Sequence, residues 1–329
     1  MEFLADYGIF FAKFITVVIT LLIIVAGLMM LVFRNRDHDE GHLHVNHLNQ
    51  RFENMILILK SQILPKKEFN KVQKSIKARH KEKHKKGEDD TTGKKLYVIN
   101  FKGDIKASEV SSLREEVTSI LLVANGEDEV LVRLESGGGT VHGYGLGASQ
   151  LKRIRDKDIK LTVAVDKVAA SGGYMMACVA NRIIAAPFAI IGSVGVLAQL
   201  PNFNRLLKKH DIDFEEIVAG EYKRTLTLFG ENTDKDRQKM KEELEDIHHL
   251  FKEFIRENRP QIDIEKIATG EHWYGKKALE LNLVDDLMTS DDYLGEAARD
   301  AEIYEIQYLR KKPMAERFLS MGARLFTQP

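Results

Sequence analysis

Residues 130–165 read VLVRLESGGGTVHGYGLGASQLKRIRDKDIKLTVAV. An apolar run at 130–134 leads into a glycine-rich turn, a stretch with helical spacing at 143–155 and a second apolar run at 161–165. Short apolar runs that alternate with a helical segment are typical of βαβ units, whose strands pair in a parallel sheet covered by helices. The stretch therefore predicts an α/β fold.

The flanking sequence continues this alternation. Residues 96–101, 182–186 and 214–218 predict further strands, and residues 108–124 and 171–179 predict helices. Thr233 and Asp236 have the spacing of a capping box, which would open a long helix that Pro260 ends. The apolar, glycine-rich residues 189–200 are too few to cross a membrane and fit a buried strand and turn.

Composition excludes several classes of protein. The 329 residues contain 49 Lys or Arg and 49 Asp or Glu, and this balance lacks the basic excess of a nucleic-acid-binding protein. Cys178 is the single cysteine, which excludes a disulfide within the chain. The His-rich residues 34–50 match no familiar metal-ligand spacing, so we expect neither metal nor cofactor.

The N-terminus carries a long apolar run. Residues 14–33 are all apolar, Gly or Thr, a length that crosses a bilayer as a helix. A cleaved signal peptide would have a basic start and a shorter core, whereas Glu2 and Asp6 precede this run. We therefore expect an uncleaved anchor over residues 1–36. Arg34 and Arg36 follow the apolar run directly and only Lys13 precedes it, so the positive-inside rule would leave the remainder of the chain in the cytoplasm.

A charged spacer and linker are expected over residues 37–93. Apolar positions within 51–86 recur at helical spacing, with a break at Pro65, and the second half is strongly basic. Such a segment is either a solvated spacer or a site of attraction to anionic lipid or acidic partners. Residues 87–93, GEDDTTG, indicate a linker. A catalytic-type domain is expected over 94–290 and a helical extension over 291–329.

Three glycine-rich turns follow predicted strands. Residues 135–139, ESGGG, would expose backbone N–H groups to an oxyanion, or form a plain turn. Residues 169–174, AASGGY, bring Ser171 to the first turn of a helix, where it would be either a nucleophile or a helix N-cap. Residues 219–224, AGEYKR, carry Lys223, which is a surface lysine unless burial keeps it neutral and able to act as a base.

Taken in order, these motifs resemble the signal peptide peptidase A family, the S49 serine peptidases of the Clp-protease/crotonase superfamily. The family's Ser-x-Gly-Gly, Ala-Ser-Gly-Gly-Tyr, Gly-Ser-hydrophobic-Gly-Val and Gly-x-Tyr/His-Lys segments correspond to residues 136–139, 170–174, 192–196 and 220–223. The resemblance covers about residues 95–290. It implies a crotonase/Clp-protease-like spiral of βαβ units. The N-terminal extension is similar to that of a single-domain proteobacterial branch of the family.

The resemblance also implies an activity and the residues that perform it. The protein would be a membrane-anchored serine endopeptidase with a Ser–Lys dyad, in which Ser171 attacks the peptide carbonyl and Lys223 is the general base. Ser193 would hydrogen-bond and orient Lys223. The backbone N–H groups of Gly138 and Gly172 would form the oxyanion hole.

Further expectations follow from the same resemblance. Substrates would be membrane-associated peptides such as signal-peptide remnants, and a homo-oligomer would complete the active site. The family's location favours the periplasmic side of the inner membrane, against the charges that flank the anchor. Gly137 stands where the family usually has proline, which makes this turn less rigid, and Asn282 replaces a common glycine far from the site.

Parts of the sequence also fit other functions. An acyl-CoA enzyme of the related crotonase-type fold would share the oxyanion hole without the dyad. A catalytically silent membrane scaffold would use the basic segment alone. A Ser–His arrangement with His142 lacks the G-x-S-x-G elbow, and residues 270–276 lack the Ser or Thr that follows the lysine of a phosphate-binding loop.

Overall fold

The computed structural model of the chain describes residues 9, 11, 13–24, 27, 41–86 and 93–310. It contains two compact units, residues 1–43 with 308–329, and residues 44–307. In the first unit, residues 13–24 are helical with exposed apolar side chains. Within the described ranges no helix is both long and apolar enough to cross a membrane. Residues 1–8, 10, 12, 25–26 and 28–36 of the predicted anchor lie outside those ranges.

Strands and helices alternate along most of the second unit. The strands are β1 His42–His47, β2 Lys95–Gly103, β3 Glu129–Ser136, β4 Lys160–Val165, β5 Val168–Ala170, β6 Arg182–Ala185, β7 Ile190–Gly192, β8 His272–Tyr274, β9 Asp286–Leu287 and β10 Glu302–Leu309. The helices are α1 Leu48–Ile63, α2 Lys66–Lys86, α3 Val110–Leu121, α4 Val141–Arg155, α5 Gly172–Ala177, α6 Asn204–Lys209, α7 Asp234–Asn258, α8 Ile264–Ile267, α9 Gly275–Glu280 and α10 Ser290–Ala297.

The strands form one ten-stranded sheet with the order β1-β10-β2-β3-β4-β6-β9. Every pairing from β10 to β9 along this path is parallel. A branch leaves the path at β3, where β5 pairs with β3 and with β7, and β7 pairs antiparallel with β8. The predicted α/β class is confirmed, and this mostly parallel sheet fits a Clp-protease-like fold.

Strand β2 shows why the sheet is covered on both faces. Tyr97, Ile99 and Phe101 enter the main apolar core, which includes residues of α3, α4 and α5. Leu96 and Val98 point to the opposite face and pack in a second cluster with residues of α10 and β10. Because successive side chains alternate across a strand, a run that is apolar at nearly every position requires apolar cover on both sides.

Two helix predictions are confirmed in detail. Thr233 and Asp236 form a reciprocal capping box at the start of α7, and the helix ends at Asn258, two residues before Pro260. The spacer contains α1 and α2, which are separated at Leu64 and Pro65 as the proline break predicted. Proline opens this gap because its ring obstructs the preceding turn of a helix and it has no N–H to donate.

Two other predictions differ from the structure. Residues 214–218 form no strand and are exposed, with Ile217 96% accessible, because no neighbouring strand offers them a ladder. Within residues 291–329, expected to be helical, α10 is followed by β10, which pairs with β2 and buries Ile303 and Ile306. Residues 311–329 lie outside the described ranges. Ahead of the spacer helices, residues 42–47 form strand β1.

Candidate active site

Three strand ends come together at one edge of the sheet. Ser136, the last residue of β3, is the register partner of Ala169 in β5, and Ala170 is the partner of Gly192 in β7. Since these pairings are parallel, the carboxyl ends of the strands lie side by side, and α/β proteins commonly place their sites at that edge. The glycine-rich turn after β3 and the two serines after β5 and β7 therefore lie close together.

Ser171 connects β5 to α5 in an unusual backbone conformation. Its φ is 52° and its ψ is −120°, a region that a non-glycine residue adopts only when the surroundings enforce it. Its N–H donates to the carbonyl oxygen of Gly192 at 2.7 Å. The hydroxyl makes no helix-capping hydrogen bond, although Ser171 occupies the N-cap position. The side chain is half-buried and remains available for chemistry, which argues against a purely structural capping role.

Gly138 lies against Ser171. A Cβ placed on Gly138 would come within 2.7 Å of the Ser171 Cβ and 2.9 Å of the Gly172 nitrogen, and the φ of Gly138 is 89°. Only glycine satisfies both the close approach and the positive φ without strain. The Gly172 N–H opens α5 and finds no acceptor among the described residues. The Gly138 N–H already has one, because it donates to the Ser136 Oγ at 3.0 Å.

Ser193 occupies the position after β7 that Ser171 occupies after β5. Its φ is 53°, and its N–H donates to the carbonyl oxygen of Glu271 at 2.6 Å. The side chain is half-buried. The sheet register thus brings the two predicted serines to the same edge.

Lys223 is the predicted site residue that this single chain does not bring to Ser171. It lies in a turn after Gly220, its side chain is exposed, and no hydrogen bond joins it to Ser171 or Ser193 in the described part of the chain. The burial expected for a lysine base is therefore not found here. The surrounding segment also exposes apolar side chains, including Phe214, Ile217 and Tyr222.

Comparison with known proteins identifies the family. Two family models match the chain, "Peptidase family S49 N-terminal" over residues 2–151 and "Peptidase family S49" over residues 153–304. The chain belongs to peptidase family S49.

Curated relatives match this chain over two thirds or more of its length. "Probable protease SohB" of Haemophilus influenzae is 49% identical over 326 residues, which cover 96% of this chain and 92% of the relative. A protein of the same name from Buchnera aphidicola subsp. Acyrthosiphon pisum is 60% identical over 225 residues, which cover 68% of this chain and 67% of the relative. Another, from Buchnera aphidicola subsp. Schlechtendalia chinensis, is 48% identical over 306 residues, which cover 89% of this chain and 99% of the relative. The family and these similarities support a peptidase.

One residue beside the candidate site was missed by sequence reasoning. Tyr144 in α4 is fully buried, its hydroxyl donates to the Asp104 carbonyl oxygen at 2.7 Å, and the same hydroxyl lies 2.6 Å from the Ser136 Oγ. A Cβ on Gly172 would meet the Tyr144 ring at 2.4 Å. Tyr144 therefore supports both glycine positions, yet in the sequence it is simply one more apolar position of a helix.

Burial keeps the thiol of Cys178 and the hydroxyl of Tyr174 protonated at neutral pH. Burial raises the pKa of the Cys178 thiol to about 12, which leaves no thiolate to act as a nucleophile at neutral pH. Burial likewise raises the pKa of Tyr174, whose hydroxyl donates to the Leu283 carbonyl oxygen at 3.0 Å. Within the described ranges, no three His, Cys, Asp or Glu side chains come together as a metal site.

Proposed function

We propose that the protein is a serine endopeptidase in which Ser171 attacks the peptide carbonyl and Lys223 accepts the Ser171 proton. The observation that carries this proposal is the Ser171 hydroxyl, uncapped at the start of α5 beside a Gly172 N–H with no acceptor among the described residues. A nucleophile in this place attacks while a preorganised N–H stabilises the charge that develops on the carbonyl oxygen.

The reaction would proceed in two steps. The Ser171 Oγ forms an ester bond to the carbonyl carbon, the Oγ proton passes to Lys223, and Lys223 returns it to the departing amine as the peptide bond breaks. Water then hydrolyses the ester, which releases the acid product and restores Ser171. The Gly138 N–H would be the second oxyanion donor, in which case the substrate oxygen replaces the Ser136 Oγ as its acceptor.

A homo-oligomer would supply what the single chain lacks. Lys223 lies on an exposed segment in which Ile217, Val218 and Phe214 are also accessible to solvent. Apolar surface of this kind marks contact with another chain. Burial in such a contact would favour the neutral lysine that the mechanism needs, with Ser193 as its hydrogen-bond partner.

Attachment to the inner membrane through residues 1–36, with membrane-associated peptides as substrates, completes the proposal. The support is the length and uniformity of the apolar run 14–33 in the sequence, which suffices for one crossing of a bilayer. A periplasmic catalytic domain remains the proposed orientation.

Covalent labelling by a fluorescent serine-hydrolase probe tests the nucleophile and the base together. The detergent-solubilised full-length protein is compared with Ser171→Ala and Lys223→Ala, and with Ser149→Ala on the exposed face of α4 as the matched control. We expect labelling of the parent and of Ser149→Ala only. Equal labelling of all four would place the nucleophile elsewhere. Failure of every protein to react, with the oligomer intact, would favour the silent scaffold.

A further inference from the structure

Helix α1 of the spacer presents an apolar face to solvent. Met55, Ile56, Leu59 and Ile63 are 52%, 44%, 62% and 74% accessible, and their spacing of three and four residues puts them on one side of the helix. Of the whole helix only Leu48 is buried. Single exposed apolar residues are ordinary, but a contiguous face of this size indicates an interaction surface.

Helix α2, which follows directly, is basic and amphipathic. Residues 66–86 contain ten Lys or Arg and two Glu. Phe69, Val72 and Ile76 recur at helical spacing and are half-buried, whereas Lys67 and Lys74 lie exposed on the other side of the helix. A helix with an apolar stripe and a lysine-rich face is the form that binds at the interface of an anionic membrane.

We propose that α1 and α2 together dock on an anionic lipid surface. The apolar face of α1 enters the boundary between headgroups and acyl chains, and the lysines of α2 bind the lipid phosphates. The chain is long enough for α1 to reach the bilayer that the apolar run 14–33 would cross. Fourteen residues lie between Phe33 and Leu48, and they span up to about 50 Å when extended. This surface lies outside the proposed active site and does not rest on the Ser171 chemistry.

A second copy of the chain is a less suitable occupant of the same face. In a two-fold interface each surface meets its own equivalent, so the basic α2 helices of the two copies would be brought near each other. Like charges at short range oppose such contact, while an anionic bilayer attracts the same charges. The charge of α2 therefore selects the lipid surface.

Depth-dependent quenching of a fluorescent dye tests the docking in the full-length protein. Leu59→Cys places the dye on the face of α1 that carries Met55, Ile56 and Ile63, and Ser61→Cys places it about 160° around the helix, near exposed Ile58 and about 3 Å further along the axis. Cys178, the single native cysteine, is fully buried, so the parent protein measures background labelling. Each protein is reconstituted in vesicles of phosphatidylcholine, with or without one third phosphatidylglycerol, that contain nitroxide-labelled lipid.

We expect the Leu59→Cys dye to be quenched in the anionic vesicles. A nitroxide near the headgroup should quench it more strongly than a nitroxide at the end of the acyl chain. The Ser61→Cys dye should be little quenched. Adding Lys67→Glu, Lys71→Glu and Lys74→Glu to Leu59→Cys should lower the ratio of docked to undocked spacer by roughly a hundredfold. Equal quenching of the two dyes, or equal quenching with and without phosphatidylglycerol, would overturn the proposal. So would shielding of the Leu59→Cys dye that depends on protein concentration without vesicles, which would assign the face to a second copy.

Discussion

Ser171 and Ser193 follow residues that are register partners in the β5–β7 pair, Ala170 and Gly192, and both serines have a positive φ, 52° and 53°. A non-glycine residue in such a conformation costs on the order of 1–3 kcal/mol and persists only where the surrounding structure enforces it. Two such residues lie next to each other and beside the Gly138 turn. Strained backbone conformations of this kind cluster at functional sites, so they mark this edge of the sheet as the candidate site.

Gly138→Ala should abolish most of the acylation of Ser171. The added methyl group would lie 2.7 Å from the Ser171 Cβ at a φ of 89°, so the turn must move and take its N–H with it. Loss of one oxyanion donor costs about 10²–10³-fold in kcat, and the rate of probe labelling measures the effect.

Gly137→Ala is the matched control for that change. A Cβ on Gly137 meets nothing within 4 Å, so the labelling rate and the unfolding free energy should stay close to those of the parent. If the two substitutions had equal effects, the close approach of Gly138 to Ser171 would not be what sets the rate.

Tyr144→Phe should destabilise the fold and slow acylation together. The Tyr144 hydroxyl donates to the Asp104 carbonyl oxygen and accepts from the buried Ser136 Oγ, so its loss leaves the Ser136 O–H without an acceptor, and an unsatisfied buried donor costs about 1–3 kcal/mol. Urea unfolding measures the loss, with Tyr274→Phe, at a residue that is 54% accessible, as the control. In combination with Ser136→Ala the effects should fall short of additive, because both changes break the same chain of hydrogen bonds. Strict additivity would show that the chain does not act as a unit.

Lys223→Arg should remove activity and leave the stability of the monomer unchanged. The guanidinium group stays protonated and does not accept the Ser171 proton. The Lys223 side chain is exposed in the single chain, so the unfolding free energy of the monomer should change by less than about 0.5 kcal/mol. Lys209→Arg, on exposed α6, serves as the control for the charge replacement. Full labelling of Lys223→Arg would exclude lysine as the base.

Glu129 should make the stability of the domain depend on acidic pH. Burial by itself raises the pKa of its carboxyl group, but hydrogen bonds from Tyr293 and Thr162, with Lys160 and Lys94 nearby, outweigh burial and lower the pKa from 4.5. A lowered folded-state pKa contributes stability that is present above the unfolded pKa and is lost as the pH falls through the folded one.

Glu129→Gln should therefore be less stable than the parent at pH 7, and the difference should shrink as the pH falls below the unfolded pKa of 4.5 and through the lower folded pKa. Denaturant unfolding across this range measures it, with exposed Glu127→Gln as the control. A difference that does not change with pH would show that the ionised carboxylate is not what stabilises the network.

Regular elements were predictable wherever a local pattern sufficed. The strands around residues 96–101, 130–134 and 161–165 and the capping box of Thr233 were found because they depend on side chains close in sequence. Residues 214–218 have the composition of a strand, yet a strand exists only if another strand pairs with it. Strand β10 was missed for the converse reason, since its partner β2 lies some 200 residues earlier in the chain.

The sequence by itself determined the α/β class, the S49 family and the identity of the candidate nucleophile, because ordered motifs and apolar periodicity are local properties of a chain. Only the tertiary structure decided that Ser171 and Ser193 share one edge of the sheet, that Tyr144 supports the glycine turn and that Lys223 is exposed in the single chain. These relationships depend on register and packing between segments far apart in sequence, where long-range pairing and burial set the geometry.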